Sequence, residues 1–547
     1  MREFIEKHAL LIVFLLFVVA FLLRSANLWN NILFTFDQGR DAQRIADIVN
    51  LHNFKLVGPE TDIPGVFNGP LFYYLLAPVY ALANFNPNFV ALFILFINNF
   101  SIFILYYFSQ ILFKNKTIGV VAALLLAISY EQANYARHIS NASLMEISTL
   151  IFFLGLALYF IRDKRLGLPL SVIGFSIGVQ FNFYLIYLVI FYPLCFMLYR
   201  KKSIDIKNIL FCLGLLIVFF SPFLIAELKW NFMITRSLLH FATGQSTLLT
   251  VTGGFSKYLQ SFAGPIYNSI FSFNIFIGFL ITLALIIYSY FLVKDKKILT
   301  FFYLCLFSTL PLFGFGTGVL QGEVVNSPLL PFYTLLYAIG IAGFFRSRDY
   351  KLFGVVILAV VILSNTVLFV RNNFVDVTVF DPQDPLLLKN EQSVIDYTYQ
   401  ASHGKPFSIC AVTNPLFINA LWSYLYNWYG LNKYGYLPFW SGQPQFFTKN
   451  LLPYDLNHVK DRYLIIEPTG GLPQKALSAT VYLEDNTSKL DEVKQFGSIT
   501  VEKRTLQADP HIFLDTQKLT KAEIASLKTL INGEPRYTCY TTYSQKQ

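Results

Sequence analysis

Five acidic residues stand close together between the first two long apolar stretches of the chain. They are Asp37, Asp41, Asp47, Glu60 and Asp62, and the densest part is the heptapeptide Phe36-Asp37-Gln38-Gly39-Arg40-Asp41-Ala42. Acidic side chains beside a membrane cost free energy unless they have a function or a partner. A carboxylate there could take a proton from a hydroxyl group as a general base. We therefore place the chemistry of the protein in this segment.

The elements that must position these acids belong to an integral membrane protein. The chain has 547 residues, of which 55% are hydrophobic and 14% charged, and its mean hydropathy is +0.51. An average soluble domain carries roughly 25% charged residues. Tyr and Trp suit the boundary between membrane and water, and the chain contains 33 Tyr.

Eleven apolar stretches are candidates for membrane spans, although several are shorter than the ~20 residues that a spanning helix usually needs. They cover residues 9–28, 88–112, 117–130, 144–161, 167–181, 184–199, 208–226, 271–293, 298–316, 328–345 and 352–370. With the N-terminus in the cytoplasm, every basic loop faces inward, with 17 Lys and Arg inside and 8 outside. This count predicts a multi-pass protein of the cell inner (plasma) membrane.

Residues 70–83 test that topology, because a twelfth span there would turn every later basic loop outward. The segment has only 14 residues and contains two prolines, so we predict an interfacial helix. The first outer loop then runs from about residue 29 to residue 87. Within it, the apolar spacing predicts an amphipathic helix over 37–52 that lies flat on the membrane. Asp37 stands at the position of its N-cap.

A second long outer loop runs from Glu227 to about Asn268. Loops of this length in compact proteins are usually functional or disordered, and the Trp, Phe and Tyr residues in this one argue against disorder. The residues in it that could contact a substrate are Arg236, His240, Lys257 and Tyr258.

The composition changes after the last predicted span. The pattern predicts helices over 391–402 and 415–430 and strands over 406–412, 462–467 and 498–504. Alternating helices and strands indicate a small α/β domain. We therefore divide the chain into a transmembrane domain, residues 1–370, and an extracytoplasmic domain, residues 371–547.

The net charge of +10 does not indicate a nucleic-acid partner. Residues 371–547 hold 17 basic and 17 acidic residues, so the whole excess lies in residues 1–370, where loop charges set orientation. Cys410 and Cys539 could form a disulfide if their domain is extracytoplasmic, or could remain two buried thiols.

Residues 1–165 resemble a known family through three motifs. The motifs are Asp37-Gln38-Gly39-Arg40-Asp41-Ala42, then Gly58-Pro59-Glu60-Thr61 with Gly69-Pro70-Leu71-Phe72-Tyr73-Tyr74, and Tyr135-Ala136-Arg137-His138-Ile139-Ser140-Asn141. They are similar to motifs of GT-C type membrane glycosyltransferases, in the bacterial group like dolichyl-phosphate-mannose-protein mannosyltransferases (glycosyltransferase family 39 and relatives, including aminoarabinose transferases). The resemblance implies an α-helical polytopic membrane protein with about 11 transmembrane helices, interfacial helices in the first outer loop, and a small C-terminal α/β domain.

The resemblance implies that Asp37 is the catalytic base. It would take the proton of an acceptor hydroxyl as that group attacks the anomeric carbon of a sugar, which predicts inverting transfer without a covalent sugar–enzyme intermediate. The family has Glu where this chain has Gln38. If that Glu holds a metal or orients the base, Asp41 could take the same role here as an auxiliary acid. Asp41 could instead hold a cation or pair with Arg44 or Arg137. For Asp37 the alternative is a plain helix cap.

Arg137 is the strongest candidate for binding a donor phosphate. A guanidinium suits phosphate geometry and stabilises the charge of the departing polyprenyl phosphate. Arg40 and His138 are further phosphate candidates, and Asn141 is a candidate substrate contact. The alternatives are that Arg137 is a boundary residue reaching to water and that Arg40 forms salt bridges along its own helix.

Two acids, Glu131 and Glu146, flank the Arg137 loop within apolar sequence. Acids inside a membrane suggest function by default, and the alternative is that either one pairs with Arg137. Glu323 and Asn326 occupy a loop where the family often has a basic residue or Tyr, and this departure argues against transferring the family's recognition of the donor headgroup to this chain.

Three functions compete. The first is transfer of a hexosyl or pentosyl group from a polyprenyl-phosphate carrier to a glycan, lipid or protein acceptor, with membrane lipids as further partners. The second is a polymerase or ligase of surface polysaccharide with a similar topology. The third is a secondary transporter or flippase, which the acids in outer loops and the absence of internal repeats disfavour. No cofactor is implied with certainty. A divalent metal is an alternative for which we assign no ligands.

Overall fold

The computed structural model describes residues 2–507 with gaps. The gaps are residues 200–204, 244–250, 315–325, 347–348, 373–385, 417, 443–448, 456–458 and isolated positions between 469 and 487, and the side chains of 251–257 are also outside the description. The chain forms two compact units. The span unit comprises Met1–Leu28, Leu51–Val79 and Pro87–Phe380, and the sheet unit comprises Trp29–Asn50, Tyr80–Asn86 and Asp381–Gln547.

Helices dominate the described residues. In chain order the α-helices are α1 (Arg2–Ser25), α2 (Phe36–Val49), α3 (Leu71–Leu82), α4 (Pro87–Asn99), α5 (Ser101–Phe113), α6 (Lys116–Ala127), α7 (Tyr130–Arg137), α8 (Met145–Leu156), α9 (Gly167–Phe181), α10 (Phe191–Tyr199), α11 (Ile206–Lys229), α12 (Met233–Ala242), α13 (Val251–Ser269), α14 (Ile275–Leu292), α15 (Lys296–Leu306), α16 (Leu310–Gly314), α17 (Leu330–Phe344), α18 (Lys351–Arg371), α19 (Leu388–Ala401), α20 (Ala420–Leu425) and α21 (Leu431–Tyr434). The predicted helix at 70–83 is α3, and the predicted amphipathic helix at 37–52 is α2.

Seven helical segments in the described residues are long and apolar enough to cross a membrane, and α6 with α7 forms an eighth that bends by 61°. The seven are Phe4–Asn30, Pro87–Phe113, Asn141–Ile161, Ile206–Lys229, Ile275–Leu292, Ser327–Phe344 and Lys351–Arg371. Three shorter apolar helices are Leu71–Leu82, Gly167–Phe181 and Phe183–Tyr199. The predicted span at 298–316 is two separate short helices, α15 and α16. The other two predicted spans outside this number, 167–181 and 184–199, correspond to the shorter apolar helices Gly167–Phe181 and Phe183–Tyr199.

The span unit is built around α17. The segment Ser327–Phe344 is 94% buried, whereas Ile206–Lys229 is 17% buried and Ile275–Leu292 is 22% buried. In water such exposed apolar helices would be unfavourable, since each leaves large side chains such as Phe211 and Phe291 uncovered. Lipid acyl chains can cover these apolar side chains, so the unit is membrane-embedded, with α17 at its centre.

The sheet unit contains a five-stranded sheet in the order β2-β1-β3-β5-β4. The strands are β1 (Ser408–Val412), β2 (Phe439–Trp440), β3 (Asp461–Ile466), β4 (Ser488–Phe496) and β5 (Ile499–Leu506). Strand β1 is parallel to β2 and β3, and β5 is antiparallel to β3 and β4. The predicted strands correspond to β1, β3 and β5. The predicted helix over 415–430 starts later, at α20, and continues through a π-helical turn into α21.

Helix α2 belongs to the sheet unit although it lies more than 300 residues earlier in sequence than α20. The Gln43 Nε2 donates to the Ala420 carbonyl at 3.0 Å. A Cβ on Gly39 would lie 2.8 Å from the Leu421 Cα, so only glycine allows this close approach. The Phe34 ring stacks on Tyr424 with 5.6 Å between ring centres. These contacts hold the acidic helix against the domain that follows the last span in sequence.

Candidate functional site

The N-cap of helix α2 lies two residues earlier than the sequence predicts, so the prediction of Asp37 at that position is wrong. Thr35 is the N-cap residue. The Gln38 Oε1 accepts hydrogen bonds from the Thr35 backbone N at 2.8 Å and the Thr35 Oγ1 at 2.7 Å. This is a capping box, which satisfies amide groups that the first turn of a helix leaves without partners. It leaves the Asp37 carboxylate outside the cap.

The capping box also accounts for Gln38, the position at which the resembled family has Glu. Gln38 is 3% exposed, and its amide oxygen faces the start of the helix. Its side chain therefore serves the cap, and the acidic group nearest to Asp37 on this helix is Asp41.

Arg40 joins the two acids of α2. Its Nη1 lies 2.6 Å from the Asp37 Oδ1, and its Nε lies 2.9 Å from the Asp41 Oδ1. The Asp37 side chain is 61% exposed, whereas those of Arg40 and Asp41 are 14% and 9% exposed. The group carries two negative charges and one positive charge, with the accessible oxygen atoms on Asp37. Since Arg40 already contacts two carboxylates, the arrangement argues against it as a phosphate ligand.

Arg137 lies in the last turn of α7, and not in a loop as the sequence suggests. It is 1% exposed, which argues against a boundary residue that reaches to water. Its Nε donates to the Arg24 carbonyl at 2.7 Å. Arg24 is itself 0% exposed, and its Nη2 donates to the Leu126 carbonyl at 2.8 Å. Two guanidinium groups are thus buried at the junction of α1 with the bent pair α6–α7.

The Glu146 carboxylate attracts the Arg24 guanidinium, whereas Arg137 repels it. Its Oε1 accepts a hydrogen bond from the Gln132 Nε2 at 2.8 Å. Two guanidinium groups are therefore buried in this region, and buried charges are stable only when they are paired or hydrogen-bonded. Sequence reasoning missed Arg24, although a basic residue inside the predicted span 9–28 signals function.

The break between α6 and α7 is held by helices distant in sequence. The Tyr130 backbone N donates to the Asn365 Oδ1 at 2.8 Å, and the Asn365 Nδ2 donates to the Ser269 carbonyl at 2.6 Å. The Ser269 hydroxyl donates to the Glu131 Oε2 at 3.3 Å. Helices α13 and α18 therefore fix the direction of α7, and Glu131 belongs to this network.

Asn141 and the Gly-Pro motif meet at the C-terminal end of α9. The Asn141 Nδ2 donates to the Phe181 carbonyl at 2.5 Å, and the Gly69 N donates to the Gln180 carbonyl at 2.9 Å. A Cβ on Gly69 would lie 1.9 Å from the Gln180 Oε1. These contacts give Asn141 a structural role, because they position the loop that follows Arg137.

His138 follows Arg137 directly. Burial lowers the pKa of its imidazole to about 4, so the ring is neutral at pH 7 when no anion is bound. A neutral imidazole can still donate one hydrogen bond.

The candidates in the second loop are not equivalent. Arg236 and His240 lie exposed on α12, four residues apart. Tyr258 is 4% exposed, with its ring centre 5.8 Å from that of Phe262. The Lys257 side chain lies outside the described residues. Of the candidates in this loop whose side chains are described, Arg236 and His240 are the exposed ones.

Several other predicted residues have local roles. The Glu60 Oε1 accepts a hydrogen bond from the Gly65 N at 2.6 Å and closes a turn. Asn326 is buried and accepts from the Thr309 hydroxyl at 2.7 Å, while Glu323 lies outside the described residues. The Cys410 sulfur is disulfide-bonded, and Cys539 lies outside the described residues.

The described residues contain no group of three or more His, Cys, Asp and Glu side chains that could hold a metal ion. The two site regions belong to different units, with Asp37, Arg40 and Asp41 in the sheet unit and Arg24 and Arg137 in the span unit.

Comparison with known proteins places these features on a known fold. Residues 67–225 match the family model for dolichyl-phosphate-mannose-protein mannosyltransferase. The apo crystal structure of ArnT from Cupriavidus metallidurans aligns with 90% of this chain and 97% of its own, with a TM-score of 0.54 and 11% sequence identity. The prediction of a GT-C type polytopic membrane fold with a small C-terminal α/β domain is confirmed.

A second solved structure is less similar. The cryo-EM structure of the arabinofuranosyltransferase AftD from Mycobacteria aligns with 91% of this chain and 40% of its own, with a TM-score of 0.42 and 11% identity. No curated protein sequence matches the chain.

Proposed function

We propose that the protein is an inverting glycosyltransferase that moves a hexosyl or pentosyl group from a polyprenyl-phosphate carrier to an acceptor hydroxyl. The observation that carries the proposal is the exposed Asp37 carboxylate of α2, joined through Arg40 to the buried Asp41 on a GT-C fold. The family model matched by residues 67–225 is named for a sugar on a polyprenyl phosphate, which supports this class of donor.

Asp37 acts as the general base in this proposal. A base must be accessible to the hydroxyl whose proton it takes, and Asp37 is the accessible member of its group at 61% exposure. Arg40 restrains the carboxylate from one side, and Asp41 restrains Arg40 in turn. The acceptor oxygen attacks the anomeric carbon as its proton moves to Asp37, and the bond from that carbon to the phosphate oxygen breaks.

The departing polyprenyl phosphate keeps its negative charge, so a fixed cation lowers the free energy of the transition state. Arg137, supported by Arg24, supplies that cation. Replacing Arg137 should therefore weaken both donor binding and transfer.

The location proposed for the reaction is the outer face of the inner membrane, with the N-terminus in the cytoplasm and residues 371–547 extracytoplasmic. The sequence supports this orientation, since in the eleven-span prediction the basic loops at residues 114–116, 162–165, 200–207, 294–297 and 346–351 all face the cytoplasm. Acceptors reached there include glycans, lipids and proteins of the cell envelope.

A deletion strain tests the proposed function. Its lipid extract should accumulate a polyprenyl monophosphate carrying one sugar, and the wild-type gene should remove the excess. A gene encoding Asp37→Asn should fail to remove it, whereas Asp47→Asn, a matched change on the same helix, should succeed. Accumulation of polyprenyl-linked oligosaccharide would instead indicate a polymerase or ligase. An unchanged lipid profile would contradict the proposal.

A further inference from the structure

A cavity of about 210 Å³ lies in the span unit at the end that carries the basic loops. It is formed where α5 ends, α6 begins, α14 ends and α17 ends. The opposite end of α6 leads into α7 and Arg137, so this cavity is separate from the proposed phosphate site. Nothing in the proposed transfer reaction uses it.

The inside of the cavity is apolar and its rim is cationic. Leu112, Ile118 and Ile339 are buried and line the interior, and Lys294 and Arg346 are exposed and line the rim. The cavity therefore reaches the surface of the unit at the level of its charged loops. Such a combination suits a ligand with one anionic end and one apolar end.

The charges on the rim differ in whether they have partners. Asp295 caps α15, since its Oδ1 accepts from the backbone N of Lys297 at 2.9 Å. Lys296 is next to the rim in sequence but does not line the cavity; its Nζ donates to the Val293 carbonyl at 3.3 Å and lies 3.7 Å from the centre of the Tyr290 ring.

Within the described part of the chain, the side chains of Lys294 and Arg346 have no hydrogen bond or ion pair. Both are exposed, and both line the cavity. The site thus has two positive charges available and one negative charge that is already used by a helix cap. An anion is the complementary ligand.

The apolar surface beside the cavity favours a lipid over a soluble anion as its ligand. Helix α14 ends at the cavity, and its side chains Ile287 and Phe291 are 55% and 74% exposed. In a membrane-embedded unit that apolar surface faces acyl chains. Basic pockets between membrane helices bind the headgroups of anionic lipids. A free phosphate would gain nothing from the apolar interior.

We propose that this cavity binds the headgroup of an anionic phospholipid, with its phosphate between Lys294 and Arg346 and its acyl chains along α14. The site is independent of the transferase proposal, since its residues and its ligand are different. It gives the basic loops at this end a binding function in addition to their effect on orientation.

Native mass spectrometry of the full-length protein tests the proposal, with phosphatidylglycerol and phosphatidylcholine offered in equal amounts. The wild type should retain phosphatidylglycerol preferentially. A basic residue beside an anionic lipid contributes roughly a factor of five, so Lys294→Ala with Arg346→Ala should lower retention by about 25-fold. Lys207→Ala with Lys351→Ala is the matched control, because both residues are exposed and neither lines the cavity.

Two outcomes would overturn the proposal. One is equal retention of both lipids by the wild type, and the other is equal loss in the test and control double variants. A cavity-filling change, Ile298→Phe, keeps the charges and should also lower retention. Inorganic phosphate is offered as a separate probe. If it binds at the same two residues while phosphatidylglycerol shows no preference, the site is a phosphate site and the lipid assignment is wrong.

Discussion

Replacing Gln38 tests whether this residue serves the start of α2 and not the chemistry. The informative pair of variants is Gln38→Ala and Gln38→Glu. The first removes the acceptor for the Thr35 backbone N and hydroxyl. The second retains an acceptor oxygen, because Glu is the other residue that closes a capping box.

The structure gives the size of the expected effect. Loss of a helix cap costs about 1 kcal/mol, and a backbone N–H left without an acceptor adds about 1 kcal/mol. The sum of about 2 kcal/mol corresponds to roughly a 30-fold increase in local opening of the helix. Gln38→Glu should be neutral or stabilising, since a negative charge near a helix N-terminus contributes about 0.3–1 kcal/mol.

Hydrogen–deuterium exchange of the full-length protein measures this opening. Amides of residues 36–49 should exchange about 30-fold faster in Gln38→Ala and no faster in Gln38→Glu, while α19 in the same unit serves as the internal reference. Wild-type exchange in Gln38→Ala, or equal acceleration in both variants, would refute the assignment of Gln38 to the cap.

Three further changes have defined outcomes. Asn365→Leu removes two buried hydrogen bonds that hold α7, so it should lower stability by about 2–3 kcal/mol, seen as a lower melting temperature than in the exposed control Thr366→Val. Gly39→Ala places a Cβ 2.8 Å from a backbone atom and should cost about 1–3 kcal/mol, whereas Gly214→Ala, with open space around it, should cost little; thermal unfolding compares them. Burial and a neighbouring carboxylate raise the pKa of Glu391 well above 4.5. The folded state therefore keeps a proton that the unfolded state loses, and stability should fall as pH rises from about 4.5 through the folded-state pKa. Glu391→Gln should flatten this dependence in denaturation measured from pH 5 to 9, and an unchanged slope would contradict it.

Sequence periodicity is sufficient to predict the elements whose pattern is local. Helix α2 has apolar residues at helical spacing, and Ala42, Ile45 and Ile48 are buried as that spacing requires. Strands β1 and β3 contain short apolar runs, and β5 begins with the alternating buried residues Ile499 and Val501. Strand β4 was missed, because its sequence is largely charged and exposed, as suits an edge strand.

The sequence contains enough information to identify the N-cap of α2 as Thr35, although the helical spacing alone points to Asp37. Both Thr35 and Asp37 are residue types that cap helices. Thr35 is followed three residues later by Gln38, which is the signature of a capping box, whereas Asp37 is followed by Arg40. The residue three positions after each candidate therefore distinguishes them, and Gln38 identifies Thr35 as the N-cap.

The parts of the site that sequence could not predict depend on contacts between distant residues. The break before α7 is held by Asn365, which is 235 positions from Tyr130. The contact of Gln43 with Ala420 spans 377 positions. The apolar periodicity within a segment does not identify contacts between distant residues. The sequence therefore could not show that α2 packs with residues after the last span, or that Arg24 lies beside Arg137.

The most direct test of the account is the rate of sugar transfer by Asp37→Asn, measured in a single turnover from a polyprenyl-phosphate-linked sugar. General-base catalysis contributes about 10²–10⁴-fold, so the rate should fall by that factor while donor binding stays within about twofold of wild type. Asp47→Asn should transfer at nearly the wild-type rate. An Asp37→Asn protein that folds normally and transfers at the wild-type rate would show that this carboxylate is not the base.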